Sequence, residues 1–342
     1  MSLDPIRLAR QLIDIPSTTG EERGHSQFLA SVLTERGFSV EEQDVGSGRV
    51  NLFATAGGVP RIIFCSHLDT VPPFFSSSED DDHLYGRGAC DAKGIIASMV
   101  AAGDRLLRDG VRDFGFLFVV GEETDSIGAK EANGFFSGRG SEFVIVGEPT
   151  ESQFVRASKG ALTATIRFEG IAAHSAYPER GDSAIRKLAR AVDAIYAASW
   201  GDDDDLGHGI PNVGVVRGGE KPNIIAAEAE AECIFRIVEP VGAALARLES
   251  IVAPLGGTVV RYHGNDPVRM AHPAGRESIV VGFNTDAPHL AKIGRPILYG
   301  PGSILDAHAT GEKIAKREIL AAVETYRTLV SDLIEGAMRT DG

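Results

Sequence analysis

Apolar and polar residues follow two different periods along the first 150 residues. Apolar residues three and four apart predict helices, and the short apolar runs between them predict buried strands. The predicted helices are residues 4–14, 19–37, 93–110 and 126–136. Asp4 and Pro5 mark the start of the first helix, and Thr19 and Glu22 form a capping box at the start of the second. The predicted strands are residues 38–45, 49–56, 61–69, 114–123 and 142–150. Near-continuous apolar strands separated by helices predict an α/β fold, in which helices sandwich a mostly parallel sheet.

The pattern changes after about residue 157. A half-exposed strand (161–170) is followed by a helix (182–199), two strands (212–219 and 229–238), a helix (240–257) and a strand (258–264). This order is that of a ferredoxin-like α+β unit. The α/β pattern returns near residue 266 and ends in a helix predicted over 312–337. We therefore expect a discontinuous catalytic domain, residues 1–156 and 266–342, interrupted by an inserted domain, residues 157–265.

Composition and charge exclude several classes of protein. The 342 residues carry a formal net charge of −14, which argues against a nucleic-acid or anionic-membrane surface. The three cysteines are widely spaced and fit a reducing compartment better than a disulfide framework. The first residues resemble a short helix rather than a signal peptide, and no apolar run is long enough for a membrane span. These features favour a soluble cytoplasmic protein.

Several apolar runs end in residues that can bind metal ions. They would bring His67, Glu122 and Glu123, Glu148 and His308 to the carboxyl edge of the sheet, and Asp91 stands just before a helix. A single histidine or glutamate at such a place is usually a structural or solvated residue. For the adjacent Glu122 and Glu123, the alternative is one inward and one outward loop residue. Several coincidences at one topological position indicate a site.

The residue types indicate which ions would bind. Imidazoles and carboxylates without a thiolate cluster suit Zn²⁺, Mn²⁺ or Co²⁺. Two histidines and three carboxylates are too many for one tetrahedral ion with an open position, but they suit two ions that share a carboxylate. Asp69, two residues after His67, would then hold the second nitrogen of that imidazole.

Six motifs together resemble a known family. They are SHLDT, GRGACDAKG, GEE, VGEPT, AAHSAYPERGDSAI and GPGSILDAH, in this order. The series is similar to that of the dinuclear-zinc metallopeptidases and deacylases, which include acetylornithine deacetylase, succinyl-diaminopimelate desuccinylase, aminoacylase and glutamate carboxypeptidase. This resemblance implies a zinc-exopeptidase-like catalytic domain with an inserted lid and dimerisation domain, and hence a homodimer.

The resemblance also implies a role for each matched residue. His67 and Glu148 would bind one ion, Glu123 and His308 the other, Asp91 would bridge the two ions, and Glu122 would be the general base. Two divalent cations are balanced in charge by the three ligand carboxylates and a hydroxide. The ions are most simply Zn²⁺, with Co²⁺ or Mn²⁺ as alternatives.

Further residues are assigned through the resemblance alone. His174 would donate a hydrogen bond to the tetrahedral oxyanion across the dimer, and Arg236, Asn223 and Gly302 would bind the substrate. Taken as a lone histidine, His174 would be a loop residue after a strand. On sequence alone, Arg236 is about as well explained as a surface arginine on an exposed sheet.

These assignments predict an enzyme that hydrolyses the amide of an N-acyl amino acid. The motifs place an acetylornithine deacetylase-like activity first, which would belong to arginine or lysine biosynthesis. A succinyl-diaminopimelate desuccinylase-like activity and a dipeptidase or carboxypeptidase activity are alternatives, and the sequence does not define the acyl group or side chain. A non-catalytic metal-binding relative is the alternative from another class, and the intact Glu122 argues against it.

Overall fold

The computed structural model describes residues 2–136, 140–336 and 340–341. Ala337, which ends the predicted closing helix, lies outside the described residues, and so do Met1 and Gly342, which end the predicted catalytic domain. The helices are α1 (Pro5–Ile13), α2 (Arg23–Glu35), α3 (Gly94–Arg108), α4 (Ile127–Phe135), α5 (Ala184–Ala197), α6 (Val241–Val252), α7 (Ala287–Leu290) and α8 (Lys316–Ile334). The strands are β1 (Ser39–Gly46), β2 (Arg49–Thr55), β3 (Ile62–His67), β4 (Ser78–Glu79), β5 (His83–Tyr85), β6 (Phe114–Val119), β7 (Phe143–Val146), β8 (Phe154–Ser158), β9 (Gly160–Glu169), β10 (Asp202–Asp203), β11 (Gly207–His208), β12 (Ile210–Gly218), β13 (Glu228–Ile237), β14 (Gly257–Asn265), β15 (Val268–Arg269), β16 (His272–Pro273), β17 (Ser278–Val281), β18 (Arg295–Leu298), β19 (Lys313–Ala315) and β20 (Thr340–Asp341). A π-helical turn (Ala89–Lys93) precedes α3.

The chain forms two compact units. The first comprises Met1–Arg156, Met270–Ile279 and Thr285–Gly342, and the second comprises Ala157–Arg269 and Val280–Asn284. The boundary predicted at residues 265/266 therefore lies four residues too early, and a short return segment was missed. The reason is local pairing: Arg269 faces Ala157 in the β8–β15 ladder and forms ion pairs with the acidic loop at Asp203 and Asp205.

Four parallel strands form the centre of the sheet in the first unit, in the order β6-β3-β7-β18. The β1–β2 hairpin extends the sheet antiparallel beyond β6, and β8 pairs antiparallel with β18. Every residue of β3 and β6 is buried, as expected of strands that are covered on both faces. The predicted α/β class with a mostly parallel central sheet is confirmed.

Helix α3 is buried along most of its length and packs against α1 and α8. In the core, Phe64 of β3 stacks on Phe116 of β6 with ring centres 5.5 Å apart, and Tyr326 of α8 meets Phe64 edge-on. Full burial of an aromatic side chain contributes about 1.5–3 kcal/mol. This packing joins β3, β6 and α8 in the core below the strand ends.

The second unit has a four-stranded antiparallel sheet in the order β12-β13-β9-β14. Helices α5 and α6 pack against this sheet. The apolar core of the unit includes Leu162, Phe168, Leu188, Trp200, Phe235 and Leu248. The connection order, strand–helix–strand–strand–helix–strand, is that of the predicted ferredoxin-like unit.

Two predicted helix starts are wrong. Thr19 and Glu22 do not form a capping box for α2. The Glu22 carboxylate accepts two hydrogen bonds from the Arg49 guanidinium, and the Thr19 hydroxyl donates to Asp69. The closing helix begins at Lys316 rather than at Glu312, because Lys313–Ala315 pairs with β5 as β19.

The three cysteines are free and buried, in keeping with the absence of a predicted disulfide framework. Within the described residues, no helix combines the length and apolarity that crossing a bilayer requires.

Candidate metal centre and active site

The candidate ligands follow the ends of neighbouring parallel strands. His67 is the last residue of β3, Glu122 and Glu123 follow β6, and Glu148 follows β7. Since β6, β3 and β7 are adjacent and parallel, their carboxyl ends meet at one edge of the sheet. This is the edge at which open α/β sheets bind their ligands.

Asp91 lies between two imidazoles. Its Oδ1 is 2.9 Å from Nε2 of His67, and its Oδ2 is 3.4 Å from Nε2 of His308. Nε2 of His308 is also 3.0 Å from Oε2 of Glu123. Ligand atoms of His67, Asp91 and Glu123 all lie within 4.8 Å of one another. Each oxygen of Asp91 therefore faces a different histidine, which is the arrangement expected of a carboxylate shared by two ions.

The proton positions in this cluster fit a cation site. Burial lowers the pKa of His67, but the nearby carboxylates of Asp69 and Asp91 outweigh it and raise the pKa well above its usual value. Hydrogen bonds with Asp91 and Glu123 raise the pKa of His308 to about 10. Both imidazoles thus hold protons that a cation would displace, because histidine binds metal ions in its neutral form.

Half-buried and buried carboxylates belong to the same group of residues. Burial, followed by the charge of Glu148, raises the pKa of Glu122 well above its usual range. Burial also raises the pKa of Glu148 strongly; His67 opposes this, and Asp91 adds to it. Several carboxylates close together in a low-dielectric site repel one another, so that the site favours added positive charge.

Asp69 organises the loop that carries the two glutamates. Its Oδ1 accepts hydrogen bonds from the backbone N–H of Gly121 (3.0 Å) and Glu122 (3.2 Å), and its Oδ2 accepts one from Glu123 (3.2 Å). Gly121 has φ +82°, a conformation that glycine adopts without strain, and this turn directs the three N–H groups to one carboxylate.

The predicted contact between Asp69 and His67 uses a different atom. Nδ1 of His67 is 3.0 Å from the backbone carbonyl of Asp69 but 3.6 Å from its Oδ1, which is too long for a hydrogen bond. Since a carbonyl only accepts, Nδ1 carries the proton and donates it, so Nε2 of His67 is the metal-facing nitrogen. The carboxylate itself holds the loop.

The second unit contains three of the predicted residues. His174 is exposed, and its Nδ1 accepts a hydrogen bond from the N–H of Ala176 (3.1 Å), so a neutral ring carries its proton on Nε2. Asn223 lies beside it, because its carbonyl accepts from the N–H of Ser175. Arg236 is half-buried on β13, and desolvation lowers its pKa.

Gly302 uses both of its backbone polar groups within the chain, and its substrate role stays a prediction. Its N–H donates to Glu318 (3.0 Å), and its carbonyl accepts from the N–H of Glu151 (2.8 Å). Its φ is +87°, and a Cβ would lie 2.8 Å from Cβ of Cys90. Gly302 therefore allows close packing against the turn that carries Asp91.

Sequence reasoning missed two side chains at this site. Thr19 donates to Oδ2 of Asp69 (2.8 Å), and its pattern with Glu22 indicated only a helix cap. Asp286 is buried, and burial raises its pKa to about 6 against a smaller opposing effect of the Ser126 hydroxyl. Asp286 follows the apolar run 278–283, just as the other carboxylates follow their strands, and this pattern could have indicated it.

The donor set fits divalent cations of the zinc type. Two imidazoles and three carboxylates, without a thiolate, match the ligands that Zn²⁺, Co²⁺ and Mn²⁺ accept. Four of these five residues are mostly buried, while the side chain of His308 is 49% exposed and forms the open side. The residues present can thus hold metal ions.

Comparison with known proteins identifies the family. Residues 156–258 match the peptidase dimerisation domain of M20 peptidases. A peptidase M20 domain-containing protein of Schizosaccharomyces pombe is 34% identical over 95% of this chain and 84% of its own length. A probable carboxypeptidase of Aspergillus clavatus is 33% identical over 94% of this chain and 86% of its own length. The chain belongs to the M20 peptidase family.

Solved structures share the fold. A tripeptidase from Staphylococcus aureus has a TM-score of 0.79 at 22% identity, over 96% of this chain and 98% of its own. An M20 metallo-carboxypeptidase from Sulfolobus solfataricus has a TM-score of 0.77 at 16% identity, over 96% and 99%. A dinuclear metal-binding M20 peptidase from Bacillus subtilis has a TM-score of 0.71 at 16% identity, over 97% and 98%. By class, this chain is a metal-dependent hydrolase of peptide bonds.

Proposed function

We propose that this chain is a dinuclear-zinc carboxypeptidase that removes the C-terminal residue from short peptides. The observation that carries the proposal is the position of Asp91, with one carboxylate oxygen toward each of two imidazoles. The half-buried Glu122 stands next to Glu123 in the chain. The names of the relatives favour a carboxypeptidase over the acetylornithine deacetylase-like activity that the sequence motifs placed first.

The ligand assignment is carried over from the family resemblance, and the cluster of His67, Asp91 and Glu123 supports it. His67 and Glu148 would hold one ion, Glu123 and His308 the other, and Asp91 would join both. When bound, such a pair of ions would supply Lewis-acid chemistry for the scissile carbonyl and for the attacking water. The carboxylates of Asp91, Glu123 and Glu148 would balance most of the positive charge. Co²⁺ or Mn²⁺ could replace Zn²⁺ in this donor set.

Glu122 would be the general base. Burial raises the pKa of Glu122 above its usual range, and a group that both accepts and returns a proton is most effective when its pKa lies near the pH of the reaction. It would take the proton of the attacking water and pass it to the nitrogen of the leaving amine. Asp69 would keep Glu122 in place through the backbone N–H bonds of the loop.

The second unit would bind the substrate. Arg236 is half-buried, and within the described part of the chain the structure records no acidic partner for its guanidinium. Such a group is suited to a bidentate pair with a terminal carboxylate. Asn223 would add a hydrogen bond to the same end. The proton on Nε2 of His174 would be offered to the oxyanion from the partner in a homodimer.

The test is a substrate panel on the zinc-loaded protein. We expect release of the C-terminal residue from di- and tripeptides with a free carboxylate, and no cleavage of the same peptides with an amidated C-terminus. N-acetylornithine and N-succinyl-diaminopimelate serve as the deacylase arms, and a preference for either would replace the carboxypeptidase proposal. A metal-loaded protein that hydrolyses no member of the panel would favour the non-catalytic alternative.

A matched variant isolates the base. Glu122→Gln keeps the size of the side chain and removes its proton acceptor, so kcat should fall by about 10²–10⁴-fold. Elemental analysis should still find both ions, because Glu122 is not assigned as a ligand. Loss of an ion in this variant would contradict the assignment.

A further inference from the structure

Glu312 is a fully buried carboxylate in the loop that follows His308. Its Oε1 lies 3.2 Å from the backbone N of Cys90 and 3.2 Å from that of Asp91. Its Oε2 lies 2.7 Å from Nη1 of Arg87. One side chain therefore joins the segment of His308 to the turn that carries the shared carboxylate.

Arg87 completes this arrangement and is itself only 1% exposed. Its Nε donates to the carbonyl of Pro73 (3.2 Å), and its guanidinium lies 5.0 Å from the centre of the Phe75 ring. A buried ion pair gains little stability over an apolar pair of the same size, because both charges lose their water. A buried ion pair is better explained by the local geometry that it specifies, which here is the position of the Glu312 carboxylate.

The turn at Asp91 needs an acceptor of this kind. Asp91 has φ −130° and ψ 88°, which are not helical, although it stands in the turn directly before α3. The N–H groups of Cys90 and Asp91 both donate to Oε1 of Glu312. Asp69 accepts from the backbone N–H groups of the Glu122–Glu123 loop in the same way.

We infer that Glu312 is a positioning residue, which sets the direction of the Asp91 carboxylate between His67 and His308 by holding two backbone N–H groups. The inference rests on the proposed function, because it assumes that Asp91 joins two ions. Arg87 fixes Glu312 in turn, so that the acceptor oxygen stays at the turn. Groups that orient a ligand typically change metal affinity or activity by about 10–100-fold when they are lost.

Glu312→Gln is the first test variant. The amide has one acceptor oxygen, and Arg87 requires it, so the NH₂ group would face the two N–H donors of the turn. We expect zinc affinity, measured by calorimetric titration of the metal-free protein in a chelator buffer, to fall about 10–100-fold. Hydrogen exchange of the peptide containing residues 88–92 should become faster in the same metal-free protein.

Two further variants separate positioning from stability. Arg87→Met with Glu312→Leu replaces the pair by apolar side chains of similar size, so the melting temperature should return toward that of the wild type. Zinc affinity should stay low, because no acceptor faces the turn.

Asp104→Asn is the matched control. Asp104 is a buried carboxylate that accepts from the N–H of Leu3 (3.0 Å) and pairs with Arg108 (3.1 Å). It lies ten residues into α3, about 15 Å along the helix axis at 1.5 Å per residue. Its loss should lower stability and leave zinc affinity unchanged.

The outcomes are distinct. Wild-type zinc affinity in the double variant would overturn the inference, and so would a loss of affinity in Asp104→Asn as large as that in Glu312→Gln. If the wild-type protein itself takes up no zinc, the proposed function fails. The exchange measurement then still decides about Glu312, since unchanged exchange over residues 88–92 in Glu312→Gln would show that it does not hold the turn.

Discussion

Replacing Asp69 by asparagine tests whether the catalytic loop is held by one carboxylate. Both oxygens of Asp69 accept two hydrogen bonds each: Oδ1 from Gly121 and Glu122, Oδ2 from Glu123 and Thr19. Asparagine offers one oxygen and an NH₂ group in the same space. If the oxygen stays with Gly121 and Glu122, the NH₂ group faces the N–H of Glu123 and the hydroxyl of Thr19.

The expected cost can be worked from these contacts. The Thr19 hydroxyl can rotate and accept from the new NH₂ group, whereas the N–H of Glu123 is left without an acceptor, at about 1–3 kcal/mol. The two remaining bonds lose the strengthening that an ionised acceptor gives. We therefore expect the free energy of unfolding to fall by about 2–4 kcal/mol. Asp69 is charged in the native state, since contacts with His67 and Thr19 keep its pKa low although burial would raise it.

The functional effect should be larger on turnover than on binding. Asp69 has no assigned contact with the substrate, so KM should change little, while kcat should fall about 10–100-fold as Glu122 and Glu123 lose their orientation. The assay is steady-state cleavage of the best peptide of the panel, beside chemical denaturation of the same preparation. The assay temperature should lie below the melting transition of the variant.

Asp80→Asn is the matched control for this change. Asp80 also accepts two backbone N–H bonds, from Asp82 and His83, and one hydroxyl, from Tyr85, but it lies in an exposed acidic loop. Its kcat should equal that of the wild type. An Asp69→Asn protein that loses stability but keeps full kcat would refute the argument that this carboxylate orients the base.

Three further predictions concern the site and its surroundings. Asp91→Ala should leave fewer than two bound ions by elemental analysis, because both ions use this carboxylate; two retained ions would contradict the shared role. His25 is buried, and desolvation lowers its pKa to about 3. Below about pH 6.5 the imidazole is therefore protonated in the unfolded chain but stays neutral in the folded protein. The free energy of unfolding should therefore fall by about 2 kcal/mol between pH 7 and pH 5 through this residue, and His25→Asn should flatten that slope in denaturation curves. Mixing inactive Glu122→Gln with inactive His174→Ala subunits should restore part of the activity after exchange; mixed dimers without activity would exclude action of His174 on the partner's site.

The strand ends could be predicted from the sequence because two local patterns coincide there. An apolar run of strand length followed by histidine or glutamate is visible at His67, Glu122 and Glu148 without knowledge of the fold. Parallel pairing then places these ends together. The same reasoning gave the helix at Pro5, whose cap at Asp4 accepts from Ile6 and Arg7 as expected.

The supporting contacts could not be predicted because their partners are far apart in the chain. Thr19 and Glu22 fit a helix cap three residues apart, yet each bonds to a distant residue, Asp69 and Arg49. Glu312 resembled the start of a helix, and its partner Arg87 is 225 residues away. A local pattern cannot tell a cap from a long-range acceptor, because both use the same side chain.

The proposed mechanism requires two metal ions, held by His67, Asp91, Glu123, Glu148 and His308. Anomalous diffraction at the zinc edge from crystals of the zinc-loaded protein tests it most directly. We expect two peaks about 3.5–4 Å apart, one on each side of the Asp91 carboxylate. A single peak, or zinc bound elsewhere while these five side chains stay without an ion, would contradict it.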